Sequence, residues 1–209
     1  MQMRFIAIGS CLLSLTAPMQ GEELVPGYVG IIKVKVNGTG CPQDSVETNV
    51  AQDRLSFSLN FRDYVAEVGP GSSPSLQRKF CQIFIDLDVP TGWRFSVAGF
   101  DYRGYIKLDE GIEALHNTEY YIQGTGMQGT PVTNSKKGPQ DNAFFYQQQV
   151  KIADQVWSSC AKERTMNIKL KMQVTNTDPN RFPNAQGTIG TDSVEGSFQK
   201  WKLSWSRCP

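Results

Sequence analysis

The chain has 209 residues, with 21 Lys+Arg against 20 Asp+Glu, one His and five Cys. This length can bury a real core, and 39% hydrophobic with 11% aromatic content is globular rather than disordered. A net charge of +1 gives no general electrostatic case for nucleic acid or an anionic membrane, and a single histidine excludes zinc or copper sites built from two or three imidazoles.

Residues 1–20, MQMRFIAIGSCLLSLTAPMQ, carry Arg4, then an apolar run from Phe5 to Leu15, then small residues and Pro18. The run is too short to span a bilayer and has the layout of a secretory signal peptide, with cleavage expected between Ala17 and Glu22. Its removal takes Cys11 and Arg4 with it. The mature chain then balances 20 basic against 20 acidic residues and keeps Cys41, Cys81, Cys160 and Cys208. An even set in an oxidising compartment predicts two disulfides. Four cysteines allow three connectivities, of which the sequence-local pairing, Cys41–Cys81 with Cys160–Cys208, is favoured. No C-x-x-C or His cluster supports a metal site in their place, and no metal or other cofactor is expected. Asn37-Gly38-Thr39 is a sequon that a eukaryotic host would glycosylate at Asn37.

Gly21 to Gly27 reads as a loose leader and Tyr28 to Val36 as a first strand. Residues 21–37 form the leader and first strand of the expected organisation, and 38–209 form one β-sandwich domain. Ser45 to Ala51 is a predicted strand. Leu55, Phe57, Leu59 and Phe61 alternate with polar residues, as a half-buried strand does. Gly69 to Ser75 breaks the chain. Cys81, Ile83, Ile85, Leu87 and Val89 then share one face of a long strand, with Asp86 and Asp88 on the other. Arg94 to Leu108 is a second long strand, whose Gly99 and Gly104 predict bulges or close backbone approach. Ile112 to His116 fits one turn of helix and Glu119 to Gln123 a short strand. Gly124 to Asn142 reads as a polar loop. Met166 to Val174 alternates cleanly, Asn176 to Gly190 reads as a long loop, and Trp201, Leu203 and Trp205 mark the last strand before Cys208. Roughly eight to ten short strands without a helical stripe predict an all-β, antiparallel, jelly-roll-like sandwich stabilised by disulfides.

The chemistry open to such a chain is narrow. His116 lies in a polar stretch without a G-x-S-x-G motif nearby, so it reads as a surface or hydrogen-bonded loop residue. Gly124 to Gly129 matches G-x-G-x-x-G in letters but is followed by Thr130-Pro131, with no helix to receive a phosphate. Asp86 and Asp88 share a strand face, which keeps open a carboxylate-dependent carbohydrate hydrolase using Asp86, Asp88 or Asp101. Asp101-Tyr102-Arg103-Gly104-Tyr105 is the most distinctive cluster. Asp101 and Arg103 share a face, and the tyrosines are suited to stacking on sugars or a partner; the competing reading is cross-strand packing around an ion pair. The four tryptophans, Trp93, Trp157, Trp201 and Trp205, read as core or disulfide-packing residues.

Specific strings occur in a fixed order: Gly40-Cys41-Pro42, GPGSSPSLQRKFCQ (residues 69–82), PTGWRFSVAGFDYRGYIKLDEG (residues 90–111), VWSSC (residues 156–160), and a Trp-containing C-terminus ending in Cys208. Together they resemble the secreted fungal and bacterial family known as domain of unknown function 4360. The likeness covers roughly Gly38 to Cys208, and RK-x-C-Q and DYRGY are its most specific parts. Phe80 departs from the Asn that members often carry before this Cys. The resemblance implies a small secreted domain with the same four cysteines and transfers no reaction, ligand or catalytic residue. The expected function is binding of an extracellular protein or a cell-wall glycan, with a host–microbe interface as one setting. The hydrolase is one alternative, and a structural wall or coat protein is the other. Neither nucleic acid nor a membrane span is expected.

Overall fold

The computed structural model describes residues 25–160, 164–190 and 197–209. The signal segment expected over residues 1–20 lies outside the described residues. The described strands, in chain order, are β1 (Gly30–Asn37), β2 (Val46–Val50), β3 (Ser56–Phe61), β4 (Val65–Val68), β5 (Arg78–Asp88) and β6 (Trp93–Leu108). They continue with β7 (Ile112–Ile122), β8 (Val132–Lys137), β9 (Gln140–Gln149), β10 (Thr165–Asn176), β11 (Gly187–Gly190) and β12 (Ser197–Arg207). A single 3-10 turn, Ile152–Asp154, is the helical element among the described residues.

The strands form two antiparallel sheets. One has five strands in the order β1-β5-β10-β7-β8. The other has seven, β2-β3-β12-β6-β11-β4, with β9 also paired to β6. The long β6 organises this second sheet. Its residues 105–108 pair with β11 and 93–103 with β12, while β9 runs along its opposite edge from Gly99 to Leu108. Gly99 makes this crowding possible: a Cβ there would sit 2.4 Å from the carbonyl oxygen of Gln148 on β9. Gly104 does the same against Gly190 and the Phe144 ring. Only a residue without a side chain lets two backbones come so close.

The two sheets pack face to face. Strict alternation places Cys81, Ile83, Ile85 and Leu87 of β5 inward, and Met166, Ile168, Leu170, Met172 and Val174 of β10 beside them. From the opposite sheet come Phe57, Leu59, Phe95, Val97, Phe100, Ile106 and Trp201. Aromatic contacts stitch the layers: Trp201 of β12 meets Tyr120 of β7 edge-on at 5.6 Å, and Tyr102 of β6 lies flat on His116 of β7 at 4.0 Å. A polar bridge crosses as well. Trp201 Nε1 donates to Gln199 Oε1 at 3.2 Å, and Gln199 Nε2 donates to Thr118 Oγ1 of the facing sheet at 3.5 Å. Among the tryptophans, Trp93 and Trp201 are buried, while Trp157 and Trp205 are half-buried.

Disulfides join Cys41 to Cys81, with Cα atoms 5.4 Å apart, and Cys160 to Cys208, 6.0 Å apart. The first ties the loop between β1 and β2 to the core strand β5. The second ties the segment before β10 to the end of β12.

Three expectations are corrected by the fold. Ile112 to His116 is no helical turn; it runs on through Glu119 to Ile122 as one strand, β7. His116 and Thr118 occupy inward positions where an apolar residue would have shown the alternation. The expected loop from Gly124 to Asn142 contains β8 and the start of β9, and the expected loop from Asn176 to Gly190 contains β11. β8 is an edge strand with no fully buried residue, so its composition is as polar as a loop's.

Candidate functional site

Strand β6 decides where the Asp101–Tyr105 cluster goes, because successive side chains of a strand point to opposite faces. Tyr102, Gly104, Ile106 and Leu108 point into the core; Asp101, Arg103, Tyr105 and Lys107 point outward from the seven-stranded sheet. The cluster is therefore split. Tyr102 is buried between His116, Phe144 and Tyr146 and is not a surface platform. Nor do Asp101 and Arg103 satisfy one another. Lys202 Nζ donates to Asp101 Oδ1 at 2.8 Å, with the carboxylate side chain only 11% exposed. The Arg103 guanidinium lies over the Phe198 ring, 5.0 Å from its centroid. Tyr105 donates its hydroxyl to Asp141 Oδ1, and Lys107 Nζ is 3.5 Å from Asp141 Oδ2. The Tyr105 hydrogen bond, helped by Lys107, holds the Asp141 carboxyl below the usual carboxylate range.

The registers of β3, β12, β6 and β9 arrange this outer face in rows. One row runs Asn60, Phe198, Arg103, Phe145; the next runs Ser58, Lys200, Asp101, Gln147. Each row crosses three inter-strand gaps, about 14 Å in all. Phe145, at the β9 end of its row, is 56% exposed. Gln147 and Gln149 are exposed along β9 beside it, and Asn60 is exposed at the other end of the row. Two carboxylates on the face, Asp101 and Asp141, have lysine partners, so it combines aromatic area, amides and locally compensated charge.

Sequence reading missed Phe145, Gln147 and Phe198. The pair Phe144-Phe145 puts one ring in the core and one in solvent, and adjacency in the chain conceals which is which. The signal was present in residues 144–149, where Phe144, Tyr146 and Gln148 alternate with more exposed neighbours.

The remaining candidates fall elsewhere. Asp86 and Asp88 project from β5 on the outer side of the five-stranded sheet, where Asp86 accepts from Thr165 Oγ1 at 2.5 Å and Asp88 stands exposed opposite Gly30. Asp101 is on the outer side of the other sheet. The sandwich core separates them, so no pair drawn from both sheets can flank one glycosidic bond at the separations such chemistry uses, about 5 to 9.5 Å. His116 is not in a surface loop. It is 1% exposed in β7, stacked on Tyr102 and edge-on to Tyr64 at 6.4 Å, and burial pushes its imidazole pKa down to about 3. Its Nε2 lies buried without a hydrogen-bond partner among the described residues. The Gly124–Gly129 segment is a turn whose Gly129 N–H donates to the Tyr120 carbonyl, with no helix beside it. Asn37 stands exposed at the end of β1, and the sequon hydroxyl of Thr39 accepts from the Phe80 N–H at 3.3 Å.

Fold and face together define a disulfide-linked antiparallel β-sandwich with an open aromatic and polar surface. Residues 28–208 match the family described as Domain of unknown function (DUF4360). The chain belongs to that family. It is 36% identical over 189 residues to an "Uncharacterized secreted protein" of Arthroderma benhamiae, covering 90% of this chain and 75% of the relative. Like that relative, it is a secreted protein. No helix among the described residues is long and apolar enough to cross a membrane. Among solved structures, the Family 11 carbohydrate-binding module from Clostridium thermocellum, in complex with a β-1,3-1,4-mixed-linked tetrasaccharide, aligns over 91% of this chain and 92% of its own. Its identity is 10% and its TM-score 0.19. The enzymatically active domain of bacteriophage CBA120 tailspike protein 4 aligns over 84% of this chain at 12% identity and a TM-score of 0.25, and the chain spans 19% of its length. At such TM-scores these likenesses carry no argument about a ligand.

Proposed function

We propose that this secreted sandwich acts by binding, and that its ligand is an uncharged cell-wall glycan lying across the outer face of the seven-stranded sheet. The observation that carries the reading is the Asn60–Phe198–Arg103–Phe145 row, with an exposed ring at its end. Aromatic faces cover the apolar side of a sugar ring, and neighbouring amides and hydroxyls meet its hydroxyl groups. Asp101 and Asp141 are each paired with a lysine, so neither carboxylate is presented as an unpaired anion to a ligand. Asp101 lies across the sandwich from Asp86 and Asp88, which speaks against a hydrolase that pairs it with either of them.

The test is retention of the purified protein on insoluble neutral polysaccharides (chitin, cellulose and β-glucans), followed by a glycan array. Retention on at least one is expected, and Phe145→Ala is expected to weaken it at least roughly tenfold, the loss that follows removal of a main aromatic contact. No retention on any neutral polymer, or Phe145→Ala binding as well as the parent, would sink the reading.

A further inference from the structure

The near-neutral total charge hides a local surplus on the other side of the molecule. On the outer face of the five-stranded sheet, registers of β1, β5, β10 and β7 place residues in rows from Arg78 to Phe84. These rows carry four cations, Lys35, Arg78, Lys169 and Lys171, against one carboxylate, Glu119. The rows immediately beyond are balanced, Lys33 beside Asp86 and Lys137 beside Glu113. All four cations are exposed, and among the described residues none has a carboxylate within 4.0 Å. Lys169 and Lys171 are two residues apart on one strand, so their ammonium groups extend from the same face at a spacing of about 7 Å.

Between the charges lie rings and amides. Phe80 is 48% exposed, Phe84 and Tyr121 are half-buried, and Lys169 Nζ is 5.6 Å from the Tyr121 ring centroid. Asn167 sits between Phe84 and Tyr121 in its row, 1% exposed, and its Oδ1 has no partner among the described residues. Gln82, Asn117 and Gln173 add half-buried amides in the other rows of this face.

We infer that this face is a second binding surface, and that its occupant is a carboxylated polysaccharide. Charge complementarity requires a polyanion. Location outside the cell favours an extracellular one. The interleaved rings and amides match the ring faces and hydroxyls of sugars. Phe80 is the only exposed ring in these rows, and a single ring is a small apolar anchor for a lipid bilayer. This inference does not rest on the neutral-glycan reading, because it concerns the opposite side of the sandwich and a different chemistry.

The experiment measures binding of the full secreted protein to three probes: polygalacturonate, the same polymer fully methyl-esterified, and single-stranded oligo-dT. Polygalacturonate is expected to bind, with affinity falling steadily as salt rises. The esterified polymer is expected to bind at least tenfold more weakly. Lys169→Glu with Lys171→Glu is expected to cut polygalacturonate affinity by roughly tenfold or more, while Lys151→Glu, a reversal at an exposed lysine outside these rows, leaves it unchanged. Arg78→Glu serves as an independent variant on another strand and is expected to act in the same direction. Equal affinity for the esterified polymer, tighter binding of oligo-dT, or indifference to both sets of charge reversals would overturn the inference.

Discussion

The buried His116 makes stability pH-dependent in a way that one residue can be held responsible for. It is the chain's only histidine. In the folded state it is enclosed by the rings of Tyr102 and Tyr64, with Met172 of β10 and Asn134 of β8 opposite it, and burial holds its pKa near 3 against 6.5 in an exposed chain. Burial also raises the Tyr64 hydroxyl well above its usual range, so that neighbour stays neutral throughout. A depressed histidine pKa means that below pH 6.5 the unfolded chain takes up a proton that the folded chain refuses. Stability is therefore unaffected above 6.5 and falls as the pH drops. The slope approaches about 1.4 kcal/mol per pH unit, giving a loss of about 2 kcal/mol between pH 8 and pH 5. By pH 3 the loss is on the order of 5 kcal/mol, comparable with the whole stability of many domains. Carboxylates titrate near pH 4, so the window from 6.5 to 5 belongs to the histidine. The measurement is urea unfolding at half-unit pH steps for the parent and for His116→Leu, a substitution of similar volume that cannot be protonated. The parent should lose stability across this window while the variant stays flat. Parallel curves, or a histidine ring-proton NMR signal that titrates near pH 6.5 in the folded protein, would refute the reasoning.

Further outcomes are expected. Replacing Cys41 and Cys81 together with Ala should lower stability by about 4 kcal/mol, read by urea unfolding, because the bridge closes a loop with a sequence separation of 40. Peptide mass mapping without reductant should return Cys41–Cys81 and Cys160–Cys208 peptides; a Cys41–Cys160 or Cys41–Cys208 peptide contradicts the structure. Trp201→Ala removes a fully buried ring in contact with Phe57, Phe100 and Tyr120, and should cost about 3–5 kcal/mol in the same assay. Expression in a eukaryotic host should add N-glycan mass at Asn37 that Asn37→Gln abolishes; an unmodified Asn37 in that host would remove the sequon from consideration.

Much of the fold was legible because alternation is local. Phe57, Leu59 and Phe61, the run from Cys81 to Leu87, and Met166 to Val174 each announce a strand and its inward face from the period of their own side chains, whereas Leu55, which shares the period, lies just before β3 and is exposed. Strands with weak burial demand were not legible: β8 and β11 read as loop because an edge or short strand need not be hydrophobic. β7 was obscured by the polar His116 and Thr118 at two of its inward positions, where aromatic stacking and a hydrogen bond to Gln199 take the place of an aliphatic side chain.

The sequence by itself determined the class of the protein: four cysteines after the expected signal segment, antiparallel strands without helices, and the strings that mark its family. It also picked out the Asp101–Tyr105 stretch as distinctive. Only the tertiary structure decided that Tyr102 turns inward while Arg103 and Tyr105 turn outward, and that Asp101 pairs with Lys202 from the far end of the chain. It alone assembled Asn60, Phe198, Arg103 and Phe145 into one row, and Lys35, Arg78, Lys169 and Lys171 into one basic face. The physical reason is that side-chain direction within a strand follows a period of two. Which strands become neighbours, and in what register, is settled by hydrogen bonding and core packing between segments remote in sequence.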